Sequence, residues 1–423
     1  MGDGSIDFRH EARARAYAEP LETLNPAQPE LFAGDAMWPY FDRLREEAPV
    51  HYTPQSDYGA FWSISRYDDI MAVDTNHAVF SSADGIVLPS LEAQAETAKR
   101  PTRPSFISMD PPRHDEQRRT VSPVVAPSNL QQLAPVIRER AGLILDGLPI
   151  GEEFDWVDLV SKELTAMTLA TLFDFPFEER RRLTRWSDVM TNAPGFGPVT
   201  SWDQKRAEID ECFSVFDALW AERVDQPPKF DLISMLAHGQ STRNMDIQEY
   251  HGNLGLLIIG GNDTTRNTIS GSVYALNKNP AQYELLRARP ELIPSMVSET
   301  IRWQTPLAHM RRTATCDFEF GGKTIHEGDK VVMWYVSGNR DERVIENPNS
   351  YLIDRARPRT HMSFGFGIHR CVGNRLAELQ LTIIWEEILK RFPVVELTAE
   401  PQRTHSIFVK GYETLPVVIP RRN

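Results

Sequence analysis

One stretch, from Phe364 to Gly373, constrains the fold of this 423-residue chain more than any other. A Phe and two glycines lead to Cys371, a third glycine follows, and a helical pattern then begins. Glycines let the backbone turn tightly and approach a flat partner closely. A cysteine just before a helix meets free N–H groups and the positive end of the helix dipole, which favour its thiolate. Such a loop is typical of an axial thiolate ligand to haem iron, although an isolated free cysteine is more often a buried, inert side chain.

The composition excludes several classes of protein. The formal net charge of −13 argues against non-specific nucleic-acid binding. The three cysteines, Cys212, Cys316 and Cys371, lie far apart, which argues against a disulfide framework or a paired-cysteine zinc site and favours a reducing cytoplasm. No apolar run approaches the roughly 18 residues that a membrane span needs, and the N-terminus lacks the apolar core of a signal peptide. We therefore expect a cytoplasmic protein with no nucleic-acid partner and no transmembrane segment.

The hydrophobic periodicity predicts a fold that is mainly α with a minor β region. Residues 1–35 have mixed charge and three prolines, and we expect them to form a loosely ordered arm. No internal repeat or low-complexity linker divides the remainder, so residues 36–423 are predicted to form a single domain. A long helix is expected from about Asp246 to Asn279.

Several local predictions accompany this assignment. Residues 82–105 are expected to be irregular, and the Gly/Pro-rich residues 192–198 to be a flexible break. Asp110 is expected to cap the helix that follows it. Residues 318–320 and 331–334 are expected to be strands separated by a Gly-Gly turn.

The long helix carries a second constellation, a pair of glycines followed by an acid and a hydroxyl. Gly260 and Gly261 each cost about 1 kcal/mol in a helix relative to Ala, which is acceptable where something lies close against the backbone. Asp263 and Thr264 have the groups of a proton relay. The alternative is a helix crossing that uses small residues, with Asp263 in a surface ion pair.

Two weaker patterns complete the set. Glu299 and Arg302 are three residues apart on a predicted helix, a spacing that on a surface contributes only a few tenths of a kcal/mol. Five basic side chains could neutralise the two carboxylates of a buried haem, although each one alone is more often a solvated charge or a core histidine. These five are His114, Arg118, Arg312, His361 and His369.

In this order and at this spacing, the motifs resemble the haem-thiolate monooxygenases, the cytochrome P450 superfamily. The loop matches that family's Phe-Gly-x-Gly-x-His/Arg-x-Cys-x-Gly pattern without departure, and Glu299-x-x-Arg302 matches its Glu-x-x-Arg pair. Residues 260–265 match its oxygen-binding groove, and 110–118 match the helix beside the haem carboxylates. The resemblance extends from about residue 37 to 419. It implies the cytochrome P450 fold, a triangular helical prism that encloses haem b, iron protoporphyrin IX.

The resemblance also implies residue roles. Cys371 would be the iron ligand, and Asp263 and Thr264 would deliver protons during oxygen activation. Glu299 and Arg302 would be structural, with a loop partner at Arg355 or Arg357. The residues implied to hold the haem are His114, Arg118, Gly261, Arg312, His361, Phe364, Gly365, His369, Cys371 and Gly373.

Within the superfamily, the chain resembles soluble bacterial alkane ω-hydroxylases most closely. The matching stretches are 106–112, 260–267, 307–313, 332–340 and 369–378. The resemblance implies insertion of one oxygen atom from O2 into a terminal C–H bond of a medium-chain alkane or fatty acid. A narrow apolar pocket would present the chain end-on, although each candidate is as often ordinary core. The candidates are Ile86, Val87, Leu88, Leu257, Gly261, Leu307, Ala308, Phe408 and Val409.

No flavin or iron–sulfur segment is recognised, so we expect electrons from another protein. The resemblance implies a small acidic ferredoxin with an NAD(P)H-dependent ferredoxin reductase, docking on the Cys371 side. Candidate docking residues are Arg113, Arg119, Arg340, Arg343 and Arg370. Three alternatives remain: a terpenoid or steroid hydroxylase, a peroxide-driven oxygenase, and a haem-thiolate protein that binds a ligand without activating oxygen.

Overall fold

The computed structural model describes residues 4–423, and most of them are helical. Short 3₁₀ turns and a π-helical segment, Val157–Lys162, connect several helices. The α-helices are α1 (Gly4–Ala18), α2 (Pro29–Ala33), α3 (Trp38–Glu47), α4 (Tyr67–Thr75), α5 (Leu91–Thr97), α6 (Arg113–Val121), α7 (Pro127–Asp146), α8 (Glu163–Phe173), α9 (Arg181–Thr191), α10 (Trp202–Val224), α11 (Leu232–His238), α12 (Ile247–Lys278), α13 (Pro280–Ala288), α14 (Ile293–Gln304), α15 (Tyr335–Gly338) and α16 (Asn374–Arg391).

The strands are short and form one larger sheet and three small ones. The larger sheet has the order β1-β2-β8-β5-β3, the second is β4-β12-β9, and β6-β7 and β10-β11 are hairpin-like pairs. The strands are β1 (Val50–Thr53), β2 (Phe61–Ile64), β3 (Phe80–Ser81), β4 (Glu153–Asp155), β5 (Met310–Ala314), β6 (Phe318–Phe320), β7 (Lys323–Ile325), β8 (Lys330–Met333), β9 (Glu396–Leu397), β10 (Gln402–Arg403), β11 (Tyr412–Thr414) and β12 (Pro416–Val418). The prediction of a mainly helical fold with a minor β region is confirmed.

The predicted long helix is α12, and most of its length is buried. Asp246 caps it, because its carboxylate accepts hydrogen bonds from the backbone N–H groups of Gln248 and Glu249 at 2.8 and 3.0 Å. The helix packs against α8, α9, α14 and α16. A helix enclosed in this way presents side chains to several parts of the core at once.

Two hydrophobic clusters flank the site. The larger is built around α7, α8, α12, α14 and α16, and its tryptophan Trp385 donates to the Ser272 hydroxyl at 2.8 Å. The second lies where α3 meets the five-stranded sheet and includes Trp334 and Phe41. Among the described helices, none is both long and apolar enough to cross a membrane.

The structure corrects two predictions about the first hundred residues. Residues 1–3 lie outside the described part of the chain, but residues 4–18 are helical rather than loosely ordered, and Ala12 and Ala16 are buried in the second cluster. The segment predicted to be irregular contains α5, which Ser90 caps by accepting from the N–H of Ala93. Small apolar residues within a polar sequence gave too weak a periodic signal for either helix.

One further local prediction is wrong and one is refined. Asp110 does not cap α6, because its carboxylate accepts from Ser81 and from the backbone of Ser82 instead, so a contact distant in sequence replaces a local one. Both predicted strands are present, as β6 and within β8, but the strand across the Gly-Gly turn from β6 is β7, and β8 pairs with β2 and β5 in the larger sheet.

Candidate active site

The Cys371 loop is a tight turn that ends at the first residue of α16. Gly365 and Gly367 have φ values of +66° and +63°, a region that other residues rarely adopt. A Cβ on Gly367 would lie 2.8 Å from the Asp74 carbonyl oxygen, so only glycine fits this close approach. The N–H of Cys371 donates to the Phe364 carbonyl at 2.8 Å, which fixes the cysteine backbone.

Opposing effects act on the Cys371 thiol, which keeps an exposed face. Burial in the surrounding protein raises its pKa more than the backbone N–H groups of Gly373 and Asn374 and the charges of Arg118 and Arg370 lower it, so the pKa lies above its ordinary value. These N–H groups belong to the start of α16, as the sequence predicted, and they provide hydrogen bonds for a thiolate. A cationic metal on the exposed face would lower this pKa and favour the thiolate.

Glu299 and Arg302 form a fully buried ion pair rather than a surface one. Arg302 donates to both oxygens of Glu299 at 2.7 Å, and Arg355 donates to Oε2 of Glu299 at 2.8 Å. Arg302 also donates to the backbone carbonyls of Asn339 and Pro348. Of the two predicted loop partners, Arg355 is therefore the one that makes this contact.

Three of the predicted haem-binding cations lie together. The rings of His114 and His369 are 4.5 Å apart, and Arg118 donates to the carbonyl of Arg370. Burial and then the charges of Arg312, His114 and Arg118 lower the pKa of His369 to about 2. The arginines Arg118 and Arg312 therefore supply positive charge at this place, next to Cys371, while His369 stays neutral.

The same cluster contains polar atoms that are buried and unsatisfied. Among residues 4–423, Nε2 of His114 and both ring nitrogens of His369 have no hydrogen-bond partner. Buried polar atoms are nearly always paired, so these atoms call for an additional group with acceptor oxygens. The two carboxylates of haem b fit this requirement, and Cys371 beside them fits its iron.

Arg312 and His361 have different surroundings. Arg312 donates to buried Asp74 at 2.7 Å, so its charge already has a partner, although it is close enough to depress the pKa of His369. His361 packs against Phe364, and burial together with Arg370 lowers its pKa to about 3. The structure does not place His361 in contact with His114 or His369.

Gly260 and Thr264 lie on the side of α12 that faces open space. The Thr264 hydroxyl donates to the Gly260 carbonyl at 3.1 Å, and a Cβ on Gly260 would meet nothing within 4 Å. A Cβ on Gly261 would lie 2.6 Å from Leu169 of α8. The prediction that Gly261 faces haem and substrate is therefore corrected: Gly261 packs against α8, and Gly260 is on the open side.

Asp263 is completely buried on another side of the same helix. Its Oδ1 accepts from Ser187 at 3.0 Å and pairs with Arg266 at 2.9 Å, and Arg266 also pairs with Asp188 of α9. Burial raises the pKa of Asp263, as does Asp188, although Arg266 and Ser187 oppose this. A buried carboxyl with a raised pKa is able to hold a proton, which fits a relay, but its route to solvent passes through α9.

Three segments predicted to contact substrate meet in space. Leu307 and Val409 form an antiparallel bridge, and the N–H of Ala308 donates to the Phe408 carbonyl at 2.8 Å. Buried His309 accepts from the N–H of Leu88 at 3.1 Å, and its other ring nitrogen contacts the Ile407 carbonyl at 2.9 Å.

The side chains of these segments divide into two groups. Ile86, Val87, Leu257, Leu307 and Phe408 are partly exposed, as residues lining a pocket would be. The other three are buried, and two of them belong to the second cluster, so their place in the pocket wall stays a prediction. These are Leu88, Ala308 and Val409.

Several residues that shape the site carried no recognisable signal. His309 and Arg311 join the 84–88 loop to residues 307–314, which include strand β5. The Arg311 backbone N–H donates to the Ile86 carbonyl, and its side chain donates to the Gly85 carbonyl. The Asp74 carboxylate accepts hydrogen bonds from the Arg312 side chain, the Tyr335 hydroxyl and the backbone N–H of Phe366. A lone His or Asp in sequence does not reveal partners more than 200 positions away.

The predicted docking arginines are not equivalent. Arg340 is 5% exposed and stacks on Trp303 at 3.7 Å, so the prediction that it contributes to a docking surface is wrong. Arg113 pairs with Glu249, and Arg343 with Asp341. Arg119 and Arg370 are exposed beside the Cys371 loop.

Comparison with known proteins agrees with this geometry. A family model described as "Cytochrome P450" matches residues 199–414. The solved structure of CYP153D17 from Sphingomonas sp. PAMC 26605 is 45% identical, with 95% of this chain and 100% of that chain covered and a TM-score of 0.88. Linalool 8-monooxygenase of Pseudomonas putida is 34% identical over 94% of this chain and 99% of its own length. A methyl-branched lipid omega-hydroxylase of Mycobacterium tuberculosis is 31% identical, covering 89% and 90%.

Proposed function

Because this chain belongs to the cytochrome P450 family of haem-thiolate monooxygenases, which use haem b, we propose that it hydroxylates the terminal carbon of medium-chain alkanes or fatty acids. The observation that carries this proposal is that one buried histidine, His309, joins three apolar segments by hydrogen bonds to Leu88 and Ile407. These segments are 86–88, 307–308 and 408–409. A terminal methyl has a stronger C–H bond than the next carbon. Terminal oxidation therefore requires a pocket that holds the chain end rigidly, as segments joined in this way would do.

Relatives support the same regiochemistry. One of the related proteins is named as an omega-hydroxylase of methyl-branched lipids. The partly exposed side chains of the three segments, Ile86, Val87, Leu307 and Phe408, are apolar, as an alkyl substrate needs. His309 is the residue that we propose positions them.

The haem supplies oxygen activation and C–H oxidation when bound, and we assign supporting roles to residues of the chain. Cys371 ligates the iron, and His114, Arg118 and His369 hold the carboxylates. The Thr264 hydroxyl, on the open side of α12, donates to the Gly260 carbonyl, and we assign it the transfer of this hydrogen bond to a group bound in the site. Asp263 holds a proton behind it and exchanges that proton with solvent, while Arg266 and its partner Asp188 keep the Asp263 carboxyl in place.

We propose that electrons come from a ferredoxin and its NAD(P)H-dependent reductase. Exposed Arg119 and Arg370 provide positive charge beside the Cys371 loop, in a chain that is otherwise acidic. Complementary charge accelerates the encounter with an acidic partner. The three free cysteines are consistent with the predicted cytoplasmic location.

A second candidate is hydroxylation of a terpenoid. The relative named linalool 8-monooxygenase covers nearly the whole chain. Linalool is a short, branched and partly polar molecule, whereas an alkane is linear and apolar, so the two substrates require pockets of different width.

One experiment distinguishes these functions. The holoenzyme is titrated with n-alkanes and fatty acids of increasing length and with linalool, and the spin-state change of the haem Soret band is followed. Turnover with ferredoxin, reductase and NAD(P)H, and separately with hydrogen peroxide alone, is then analysed for products. We expect the tightest binding for one medium chain length and a primary alcohol as the main product. Mainly in-chain alcohols, tighter binding of linalool or peroxide-only turnover would each contradict the proposal.

A further inference from the structure

A cavity of about 460 Å³ lies between the start of α3, the ends of α12 and α14, and the β10–β11 hairpin, away from the site described above. None of the residues assigned above to haem, substrate or proton delivery lines it. Its wall is both cationic and aromatic. The lining residues that carry the inference are Trp38, Trp303, Arg340, Arg403, Lys410 and Asp35.

The side chains that line the cavity carry a net positive charge, opposite in sign to the net charge of the whole chain. Five cationic and two acidic side chains line it, although the whole chain has a formal net charge of −13. One of the acids, Asp42, already pairs with Arg45, and the cation Lys278 pairs with Glu400. Within the described part of the cavity wall, Asp35 is then the main counter-charge for three buried cations.

These three cations are deeply buried. Arg340 is 5% exposed, Lys410 is 7% exposed and the Arg403 side chain is 7% exposed. Burial, with repulsion from the neighbouring arginines, lowers the pKa of Lys410 to about 7 and that of Arg340 to about 9. The pKa of Arg403 is raised against its burial by Asp35 and by the tyrosines Tyr412 and Tyr274. Buried charges are normally paired, because losing hydration without a counter-charge is costly.

Among the described residues, the contacts of these cations leave one buried donor unsatisfied. Arginine carries five side-chain N–H donors and lysine three. Arg340 donates to the Pro348 carbonyl at 3.1 Å and Lys410 to the Gln304 carbonyl at 3.0 Å. In residues 4–423, Nη2 of Arg403 has no hydrogen-bond acceptor, and its nearest carboxylate, Asp35, is 3.7 Å away.

The aromatic side chains support the cations rather than offering free faces. Arg340 lies over Trp303 at 3.7 Å and Trp38 at 4.5 Å, and Arg403 lies over Tyr274 at 4.8 Å. Cation–π contact partly compensates these guanidinium groups for their lost hydration. It uses their flat faces, so the N–H groups at their edges remain available. A ligand would therefore meet donor edges and positive charge.

We propose that this cavity binds a small multivalent oxyanion, a molecule bearing phosphate or carboxylate groups, through Arg403, Arg340 and Lys410. Acceptor oxygens would pair with the unsatisfied donor, and negative charge would balance the excess of buried cations. The inference is independent of the substrate proposed above.

The proposal is tested on the holoenzyme by calorimetric titration with pyrophosphate and with citrate, each against sodium chloride at equal ionic strength. Quenching of Trp38 and Trp303 fluorescence gives a second readout. We expect saturable one-to-one binding, weakened about tenfold or more in Arg403→Gln, since one charge-assisted contact typically contributes at least that factor. Preference for pyrophosphate would indicate a phosphate ligand, and preference for citrate a carboxylate.

Two variants keep the test decisive. Arg9→Gln changes a partly exposed cation of the cavity wall, so it should fold even if Arg403→Gln does not, and we expect affinity to fall about threefold. Arg289→Gln, which removes an exposed cation outside the cavity, should bind as the unaltered protein does. The proposal would be overturned if no saturable binding is seen, or if Arg289→Gln weakens binding as much as Arg403→Gln does. It would also be overturned if the oxyanion shifts the Soret band and this shift persists unchanged in Arg9→Gln.

Discussion

The Cys371 side and the substrate side of this site are held together in different ways. On the Cys371 side, contacts are polar and buried: Glu299 binds Arg302 and Arg355, and Asp74 binds Arg312. On the substrate side, loops are joined by backbone hydrogen bonds, by one neutral imidazole, His309, and by the Arg311 side chain, which donates to the backbone carbonyl of Gly85.

The difference shows how one fold can keep the Cys371 side, which determines the reaction, rigid while the substrate side, which determines specificity, varies. A buried charge network loses several kcal/mol when one member is removed, so it holds the thiolate loop in one geometry. Neutral backbone contacts between loops are individually weaker, and they allow the pocket wall to vary without loss of the fold. Four changes test this comparison.

The largest effect is expected for Cys371→His. This change replaces the thiolate by a neutral ligand of different electron donation, and we expect essentially all monooxygenase activity to disappear. The reduced carbon-monoxide complex should lose its far red-shifted Soret band and show a histidine-like band. Retention of the red-shifted band would exclude Cys371 as the ligand.

Glu299→Gln should cost about 3–5 kcal/mol of unfolding free energy, because it leaves Arg302 and Arg355 buried without their carboxylate. Urea unfolding of the holoenzyme measures the change. Glu291→Gln removes a carboxylate from an exposed ion pair and serves as the control, with an expected cost below about 1 kcal/mol. Similar costs for the two variants would show that the buried network is not what stabilises this side.

Thr264→Val removes a hydroxyl that we place at the open side of α12. Loss of a positioned proton donor typically slows a reaction about a hundredfold, so product formed per NAD(P)H should fall sharply and hydrogen peroxide release should rise. Thr268→Val is a matched control, since Thr268 makes the same backbone hydrogen bond one turn later but is buried. The relay assignment fails if both variants remain fully coupled.

His309→Phe should destabilise the fold less than Glu299→Gln does, and its main effect should be on the ratio of products. It leaves the Leu88 N–H and the Ile407 carbonyl unpaired, at a cost of about 2 kcal/mol. We expect the ratio of terminal to in-chain alcohol to fall several-fold, while the Soret spectrum stays unchanged. An unaltered product ratio would contradict the positioning role; His326→Phe, at an exposed histidine, is the control.

His309 also predicts a pH dependence. Burial lowers its pKa to about 4, so the folded protein keeps the imidazole neutral where the unfolded chain, with a pKa of about 6.5, binds a proton. The stability contributed by neutral His309 is therefore fully present above about pH 6.5 and is lost as the pH falls to 4. The stability difference between the unaltered protein and His309→Phe should narrow over this range in urea titrations. A constant difference would show that His309 does not titrate differently in the fold.

The sequence by itself determined the chemistry. The Cys371 loop, the Glu299–Arg302 spacing and the run from Gly260 to Thr264 are short motifs whose geometry is set within one turn or one helix, so their residue types indicate their roles. The mainly helical fold and the long helix followed from periodicity, because a buried helix repeats its pattern over many residues.

Tertiary structure alone decided the partners of those motifs. It selected Arg355 over Arg357, turned Gly261 towards α8, buried Arg340 between two tryptophans and joined Leu88 to His309. Each depends on residues far apart in sequence, where the final position of a side chain is set by packing and by the need to satisfy buried polar groups. No local pattern encodes such a contact.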